Sequence, residues 1–394
     1  LGTLQLPAGG ELWFYSADGR DLQGPYSRSG RRLLPIVRDD EAVLEARMPL
    51  AAQDGFRIAV GEVFHGFRRL GGGDGVQAKG AMGDSESCNI NTACADGNSW
   101  RNEIRSTVLY TRIERVILGA TQVQCSGAMV NNTAQDDRPL VLSANHCGVG
   151  PSTNMSDVQV YFNVQKSSCS STTDGPINQV VDGGTFLARD SGSDFSLFSL
   201  AARPPSSYNV YYAGWDARSD ATPRSGVSIH HPGGDDKKIS SYSSAARRVD
   251  NVQAGVGLTV DGWEVFWSRG VTEQGSSGSG LWNQDHRLVG TLSGGASSCS
   301  SPQSSDIYAR FDAGWLANST STGQLKAHLD PRNSGALTLN GKNAGSAGTP
   351  VDPGSGTTGS TTGSSGGGGG GGALDLLALL AGLGLVAIRR RPLH

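Results

Sequence analysis

A run rich in glycine and serine, Gly-Ser-Ser-Gly-Ser at residues 275–279, contains the residue types that nucleophilic catalysis requires. A serine between small neighbours suits a backbone that turns sharply and keeps its amide groups free, and such amides stabilise the oxyanion formed in acyl transfer. Gly-Ser runs are more often flexible loops, so this one needs partners to carry chemistry. Two segments offer them: Ala-Asn-His-Cys at residues 144–147 and Ser-Asp-Phe-Ser-Leu at residues 193–197.

His146 and Asp194 are the candidate base and carboxylate. His146 ends an apolar run and immediately precedes Cys147, whose bridging to an earlier cysteine would fix the histidine at a strand end. Asp194 stands at the head of an alternating apolar strand, whereas the competing Asp182 and Asp190 lead no such strand. A serine nucleophile needs a histidine base, and that base needs a buried carboxylate to orient it.

The scaffold that must position these residues is predicted to be all-β. Glycine is abundant, with 57 residues, and Ser/Thr-Gly clusters separate short runs of branched and aromatic residues. This spacing predicts many short strands joined by turns. Nine or more strands with one short helix around residues 325–329 indicate a closed or paired β-barrel architecture.

The cysteines and the charge restrict the class of protein further. An even number of cysteines without a Cys-x-x-Cys pair predicts three disulfides rather than a zinc site, and therefore an oxidising compartment. The net charge of −3 gives no reason to expect a nucleic-acid partner. Because the sequence begins at Leu1 without a methionine, we expect that a secretory signal peptide preceded it. The six cysteines are Cys88, Cys94, Cys125, Cys147, Cys169 and Cys299.

Composition divides the chain into four parts. Residues 1–79 contain no cysteine and are rich in predicted strands, and they end near a glycine-rich stretch. They form either an accessory domain or, as we favour, a pro-segment processed between Lys79 and Gly80. Residues 80–341 form the disulfide-bearing domain. Residues 342–372 are a flexible Gly/Ser/Thr linker, and residues 373–394 are a hydrophobic segment with a basic end.

The motifs together resemble the bacterial lysyl endopeptidase family of chymotrypsin-like serine proteases. The similarity extends over residues 80–341 and includes Gly-Asp-Ser-Glu-Ser-Cys-Asn-Ile at 83–90, Ile-His-His-Pro at 229–232 and Ser-Ser-Cys at 297–299. It implies a chymotrypsin-like double β-barrel in which Ser277 is the nucleophile, completing a triad with His146 and Asp194. The amides of Gly275 and Ser277 would then form the oxyanion hole. The implied disulfides are Cys88–Cys299, Cys94–Cys169 and Cys125–Cys147.

The same resemblance implies a pocket for a basic side chain. Trypsin-like enzymes carry an aspartate six residues before the nucleophile, but this chain has Val271 there. Lysyl endopeptidases take the aspartate from a later strand, and Asp306 matches it. Ser293, Gly294 and Gly295 resemble the edge segment that pairs with the substrate backbone.

Three departures from related enzymes affect specificity and activation. Lysine-specific relatives have histidine at the position of Ser293, and their tryptophan in the loop at residues 249–256 has no counterpart, so arginine becomes acceptable beside lysine. Chymotrypsin-type zymogens have an aspartate at the position of Ser276, which receives the new N-terminal ammonium. We therefore expect the pro-segment to assist folding or block the cleft, and self-cleavage to remove it.

The C-terminal segment has two interpretations. Taken plainly, it is a marginal membrane anchor, shorter than the usual span of about 20 residues. A glycine motif followed by a short hydrophobic helix and a basic end also resembles the Gly-Gly sorting signal that a rhomboid-type membrane protease cuts. We favour sorting, which implies a transient inner-membrane anchor and a secreted or bacterial cell-surface protein.

The predicted function is a secreted serine endopeptidase that cuts protein or peptide substrates after lysine and also accepts arginine. The alternative is an inactive protease-like module that binds a partner at the cell surface. We expect no cofactor and a monomer. His230 and His231 near Asp235 and Asp236 suggest a metal site, but they match a family segment without a metal role, so we expect none.

Overall fold

The computed structural model describes residues 1–39, 41–64, 85–116, 119–349 and 351. The predicted processing point at Lys79 and Gly80 lies outside these ranges, as do most of the predicted linker and all of the segment 373–394. None of the helices within the described ranges is long and apolar enough to cross a membrane.

The N-terminal module, defined as residues 1–39 and 41–64, is built from five short strands. In one sheet β2 lies between β3 and β4, and β1 pairs with β5 in a second, both antiparallel. Leu4 and Leu12 are among its buried apolar side chains. The strands are β1 (Thr3–Gln5), β2 (Glu11–Ser16), β3 (Gln23–Tyr26), β4 (Ala42–Arg47) and β5 (Arg57–Ala59).

The next part of the chain forms a closed barrel of six antiparallel strands in the order β10-β11-β12-β9-β8-β7. Its strands come from one continuous region, and each pairs antiparallel with its neighbours, with two register shifts between β11 and β12. The short strand β6 (Ile90–Asn91) precedes the barrel in the chain and is not part of it. The barrel strands are β7 (Thr107–Val116), β8 (Gly119–Val130), β9 (Leu140–Ala144), β10 (Val158–Tyr161), β11 (Val180–Asp190) and β12 (Phe195–Leu200).

Ten strands build another sheet, with a main path β17-β18-β21-β20-β19-β15-β16-β6. In addition, β14 lies beside β20 and β22 beside β14, while β13 and β23 pair separately. These strands are β13 (Tyr211–Tyr212), β14 (Gly214–Asp216), β15 (Gly226–His230), β16 (Lys238–Tyr242), β17 (Arg247–Gly255), β18 (Leu258–Val265), β19 (Gly280–Asn283), β20 (Arg287–Gly295), β21 (Asp306–Arg310), β22 (Thr338–Leu339) and β23 (Lys342–Asn343).

Helices are short throughout the described residues. The three α-helices are α1 (Arg101–Ser106), α2 (Phe311–Trp315) and α3 (Lys326–Leu329), and α3 confirms the helix predicted around residues 325–329. The 3₁₀ helices are Leu50–Gly55, Ala95–Trp100, Asn145–Cys147, Met155–Asp157, Ser206–Tyr208, Pro232–Gly234 and Ser321–Gly323.

The strand β12 shows how the sequence pattern positions the site. On one face of β12, Phe195 and Leu197 pack in the larger apolar core. On the other face, Phe198 and Leu200 pack in the core of the closed barrel. Successive strand side chains point to opposite faces, so a strand between two cores is apolar in both directions. Each fully buried side chain of this size contributes about 1.5–3 kcal/mol. Asp194 precedes this firmly packed strand.

Three disulfides lie in the described structure, with the pairing that the resemblance implies. Cys88 is joined to Cys299, Cys94 to Cys169 and Cys125 to Cys147. The first links the start of the domain to the segment between β20 and β21, the second links it to the segment between β10 and β11, and the third closes the β8–β9 region. Together with the strands, they confirm the predicted all-β, chymotrypsin-like fold.

The N-terminal module contacts the outside of the closed barrel. The Gln23 amide donates to the carbonyl of Ile177 at 2.9 Å, and the Arg38 guanidinium donates to the carbonyl of Gly175 at 2.8 Å. Ile36 packs on an apolar cluster that includes Tyr161. Within the described ranges, the hydrogen bonds and ion pairs of this module include none to His146, Asp194 or Ser277.

Lys237 is an unusual member of the interior. It is 1% exposed, and its ammonium group donates to the carbonyl oxygen of Ile104 at 2.7 Å. Burial without a carboxylate partner disfavours the charged form and lowers the pKa of Lys237 to about 7. In the unfolded chain a lysine keeps its proton up to a pKa of about 10.4. Between these values the unfolded state binds more protons, so the free energy of unfolding rises with pH.

We therefore expect Lys237→Met to stabilise the protein, and to do so less as the pH rises. The stabilisation should shrink by about 2–3 kcal/mol between pH 8 and pH 10, because the wild-type penalty disappears there. Urea unfolding at the two pH values measures this difference, with the partly exposed Lys326→Met as the matched control. A stabilisation that does not change with pH would contradict the buried-ammonium explanation.

Candidate active site

Asp194 and His146 form a doubly hydrogen-bonded pair. Oδ1 of Asp194 accepts the backbone N–H of His146 at 2.8 Å, and Oδ2 lies 2.9 Å from Nδ1 of the ring. Asp194 has a φ of +41°, which L-residues seldom adopt. Asp190 holds the preceding turn, since its Oδ2 accepts both the N–H and the hydroxyl of Ser193 at 2.8 Å. Asp182 lies on β11, paired across to β10.

This pairing determines which ring nitrogen is available for chemistry. A carboxylate only accepts hydrogen bonds, so Nδ1 of His146 carries a proton toward Asp194 and Nε2 is the accepting nitrogen. The His146 side chain is 28% exposed, whereas that of Asp194 is 0% exposed. The arrangement couples an accessible base to a buried carboxylate.

Local structure fixes His146 at the end of β9. It lies in the 3₁₀ helix Asn145–Cys147, and the Asn145 N–H donates to the backbone carbonyl of Asp194 at 3.1 Å. The disulfide to Cys125 anchors the following residue, Cys147. The backbone hydrogen bond and the disulfide therefore fix the main chain at His146, and the contact with Asp194 orients its ring.

The nucleophile loop, defined as residues 271–277, approaches this pair through its C-terminal end. Gly278, directly after Ser277, has a φ of +78°. A Cβ at Gly278 would lie 2.0 Å from the Ser143 hydroxyl and 2.8 Å from the Ala144 nitrogen, so only glycine permits the approach. The loop thus packs against the end of β9, two residues before His146.

The backbone around Ser277 leaves two amides available. The carbonyls of Gly275 and Ser277 accept hydrogen bonds from the hydroxyl and the N–H of Ser126, at 2.9 and 2.8 Å. Gly275 has a φ of +91°. In the part of the chain that the structure describes, the N–H groups of Gly275 and Ser277 donate no hydrogen bond. Such amides suit an oxyanion.

Asp306 is a buried carboxylate with a dense set of donors. It is 0% exposed. Its Oδ2 accepts from Trp267 Nε1 at 2.6 Å, from Thr272 Oγ1 at 2.8 Å and from Ser297 Oγ at 2.6 Å. From the described donors, Oδ1 accepts only the Ser297 N–H, at 3.1 Å, and retains acceptor capacity. Among the described side chains, no cation forms an ion pair with Asp306.

The predicted edge segment lies directly against this carboxylate. Gly295 pairs with Asp306 in the β20–β21 register, and a Cβ on Gly295 would lie 2.1 Å from Oδ1. Glycine therefore keeps the space beside the carboxylate open. Ser293 is 5% exposed, and its hydroxyl has no hydrogen-bond partner among the described residues. It falls at the register shift between Leu292 and Gly294.

Several residues of the site were not found from the sequence. Trp267, Thr272 and Ser297, which surround Asp306, come from separate segments that meet only in the fold. His230 was considered only as part of a histidine pair. In the structure its ring lies between two serine hydroxyls, while Nδ1 of His231 lies 2.8 Å from the backbone carbonyl of Asp235. Burial lowers the pKa of both histidines.

The closed barrel, the second sheet and the three disulfides define the chymotrypsin-like fold class, and this fold places a histidine–aspartate pair beside a serine-bearing loop. The sequence pattern of the family "Lysyl endopeptidase, C-terminal domain" matches residues 82–309. The chain belongs to the lysyl endopeptidase family.

The chain is also similar to individual proteins and solved structures. The lysyl endopeptidase of Pseudomonas aeruginosa is 31% identical over 324 residues, which are 77% of this chain and 65% of that protein. The chain therefore spans less than two thirds of the length of this curated relative. The active form of the Rv3671c protease from M. tuberculosis aligns with a TM-score of 0.40 and 17% identity, covering 67% of this chain and 99% of that structure. An inactive form of the same protease aligns with a TM-score of 0.36 and 16% identity, covering 56% of this chain and 92% of that structure.

Proposed function

We propose that this protein is an endopeptidase that cleaves peptide bonds after lysine or arginine by a Ser-His-Asp acyl-enzyme mechanism. The observation that carries the proposal is the pairing of an accessible His146 with the buried Asp194 beside a loop with two open amides. The buried Asp306, with no cationic partner among the described side chains, supports the preference for a basic residue. A buried charge without a partner is costly, so a cationic substrate side chain would be strongly favoured there.

In the acylation step, Ser277 Oγ attacks the scissile carbonyl carbon while its proton moves to Nε2 of His146. The carbonyl oxygen becomes an oxyanion that accepts hydrogen bonds from the amides of Gly275 and Ser277. His146 then gives the proton to the leaving amine, and the C–N bond breaks. Water repeats the sequence on the acyl-enzyme, with His146 again as the base, and releases the acid.

Substrate would bind along the edge segment Ser293, Gly294 and Gly295 as an added strand. Its P1 side chain would point to Asp306, where an ammonium or guanidinium group meets the remaining acceptor capacity of Oδ1. Because Ser293 stands where lysine-specific relatives carry histidine, we propose that arginine is accepted as well as lysine.

We expect Asp306→Asn to lower kcat/KM for peptides with lysine or arginine at P1 by about 10²–10³-fold, because the substrate cation loses its partner. For a norleucine peptide of similar length the change should stay within about threefold. Asparagine retains one carbonyl oxygen for the converging donors, so the fold should persist. Profiling a set of P1 peptides measures both effects and the Lys/Arg ratio.

The exposed Asp285→Asn is the matched control for this experiment, since it removes the same charge from the surface. It should leave the profile unchanged. If Asp306→Asn retains the wild-type preference for basic residues, the pocket assignment is wrong.

A second candidate function is an inactive protease-like module that binds a surface partner. The intact His146–Asp194 geometry disfavours it, because an inactive relative has no need of an oriented base. Reaction with a fluorophosphonate distinguishes the two: covalent labelling at Ser277 supports the enzyme, and an unlabelled folded protein supports the binding module.

For the chain ends, we propose a secreted or cell-surface protein whose residues 1–79 act as a pro-segment. We further propose that residues 373–394 are a sorting signal processed by a rhomboid-type protease. The glycine-rich composition before the hydrophobic stretch supports this. Mass spectrometry of the mature protein, isolated from cells that make it, tests both ends at once.

A further inference from the structure

The nucleophile loop is held from the protein interior by a chain of hydrogen bonds that passes through His230. The ring is 0% exposed, with Nδ1 2.7 Å from Ser276 Oγ and Nε2 3.2 Å from Ser240 Oγ. Ser240 donates to the backbone carbonyl of Val271 at 2.7 Å, and Ser276 Oγ accepts the N–H of Glu273 at 3.1 Å. Both ends of the chain are thus backbone atoms of the nucleophile loop.

A single arrangement of protons satisfies this chain. The Ser240 hydroxyl uses its proton on the carbonyl of Val271, so it accepts from the ring, and Nε2 of His230 carries the ring proton. Nδ1 must then accept the hydroxyl proton of Ser276, whose lone pair receives the N–H of Glu273. Burial lowers the pKa of His230 to about 3, which keeps the ring in the neutral form that the chain requires.

Ser276, one of the side chains in this series of hydrogen bonds, lies beside the candidate oxyanion hole. Ser276 lies between Gly275 and Ser277. Its carbonyl carbon belongs to the peptide unit that carries the Ser277 N–H, and Ser276 directly follows Gly275, whose N–H is the other candidate oxyanion donor. Ser276 is 0% exposed. Ser276 also occupies the position at which chymotrypsin-type zymogens place the aspartate that receives a new N-terminus. In this protein the buried imidazole of His230 contacts the residue at that position instead.

We propose that His230 is a positioning residue that holds the nucleophile loop, and with it the oxyanion amides, in place of an N-terminal ion pair. The inference rests on the proposed function, because it gives the loop its catalytic role. The proposed function does not say what supports the nucleophile loop. This inference places the support on β15 and β16, away from the N-terminus of the polypeptide.

The test compares His230→Leu, His230→Gln and Ser276→Ala with the wild type, using enzyme concentrations determined by fluorophosphonate titration. We expect kcat to fall about 10²–10³-fold in His230→Leu and Ser276→Ala, the effect of losing an oxyanion donor. KM and the inhibition constant of benzamidine should stay within about threefold, since Asp306 is unchanged. A peptide boronate ending in lysine should lose affinity in parallel with kcat.

Further variants separate positioning from general stability. Glutamine provides a donor and an acceptor on one planar group, so His230→Gln should regain at least about tenfold in kcat over His230→Leu. Ser228→Ala removes another buried hydroxyl of β15, which donates to Gly280 outside the chain of hydrogen bonds, and should keep wild-type kcat. Wild-type kcat in titrated Ser276→Ala and His230→Leu would overturn the inference. Ser276→Ala alone decides the matter where His230→Leu fails to fold.

Labelling of the wild type at Ser277 tests the proposed function separately from the positioning role of His230. If the wild type is not labelled at Ser277, the proposed function fails, and hydrogen exchange at the amides of Glu273 and Ser276 decides the inference on its own. Faster exchange in His230→Leu than in Ser228→Ala supports the positioning role. Equal exchange contradicts it.

Discussion

Replacement of Ser277 by alanine is expected to lower kcat by about 10⁶-fold, because the attacking oxygen and the covalent pathway are both lost. KM for a lysine peptide should change little, since Asp306 and the edge segment remain in place. Labelling by a fluorophosphonate should disappear. Thermal unfolding should be close to that of the wild type, because Ser277 is only partly buried and its hydroxyl makes no structural hydrogen bond among the described residues.

The control for Ser277→Ala is Ser300→Ala, which removes an exposed hydroxyl close in sequence. It should retain wild-type rate and labelling. The same pair of variants tests maturation: N-terminal sequencing should find the uncut chain in Ser277→Ala and a processed chain in Ser300→Ala. Efficient processing of Ser277→Ala would show that another protease makes the proposed cut near residue 79.

Exchange of Asp194 for asparagine is expected to lower kcat by about 10⁴-fold. Asparagine can accept the backbone N–H of His146 while its amide group faces the ring, and the ring then presents Nδ1 as an acceptor. Nε2 consequently carries the proton and cannot take one from Ser277. The geometry survives, but the base has the wrong tautomer. Steady-state kinetics with a lysine peptide measures the loss.

Asp190→Asn is the informative comparison for Asp194→Asn. Asp190 holds the turn through Ser193 but does not touch His146, so its loss should cost less than about tenfold in kcat. A larger effect from Asp190→Asn than from Asp194→Asn would mean that Asp190 is the catalytic carboxylate.

The sequence was most informative where local pattern and chemistry coincide. Asp194 was predicted from its place before an alternating strand, and β12 indeed has both faces buried. The short helix at residues 326–329 was predicted correctly. These features depend on neighbours in the chain, and local periodicity records them.

Features that depend on segments distant in the sequence were harder to predict. Asp306 has no local sign of importance, and only the family resemblance indicated it. Its environment is made by Trp267 and Ser297, which meet it through the pairing of β18, β20 and β21. The role of His230 could not be predicted either, because its burial and its contact with Ser276 arise from the packing of β15 against the nucleophile loop.

A cut near residue 79 would change how the N-terminal module is held on the barrel. All cysteines lie between Cys88 and Cys299, so no disulfide would tether the released piece. Noncovalent contacts with the barrel, among them those of Gln23, Ile36 and Arg38, would then hold it, and a unimolecular association would become a bimolecular one. Retention of the piece would depend on protein concentration, with dilution favouring its release.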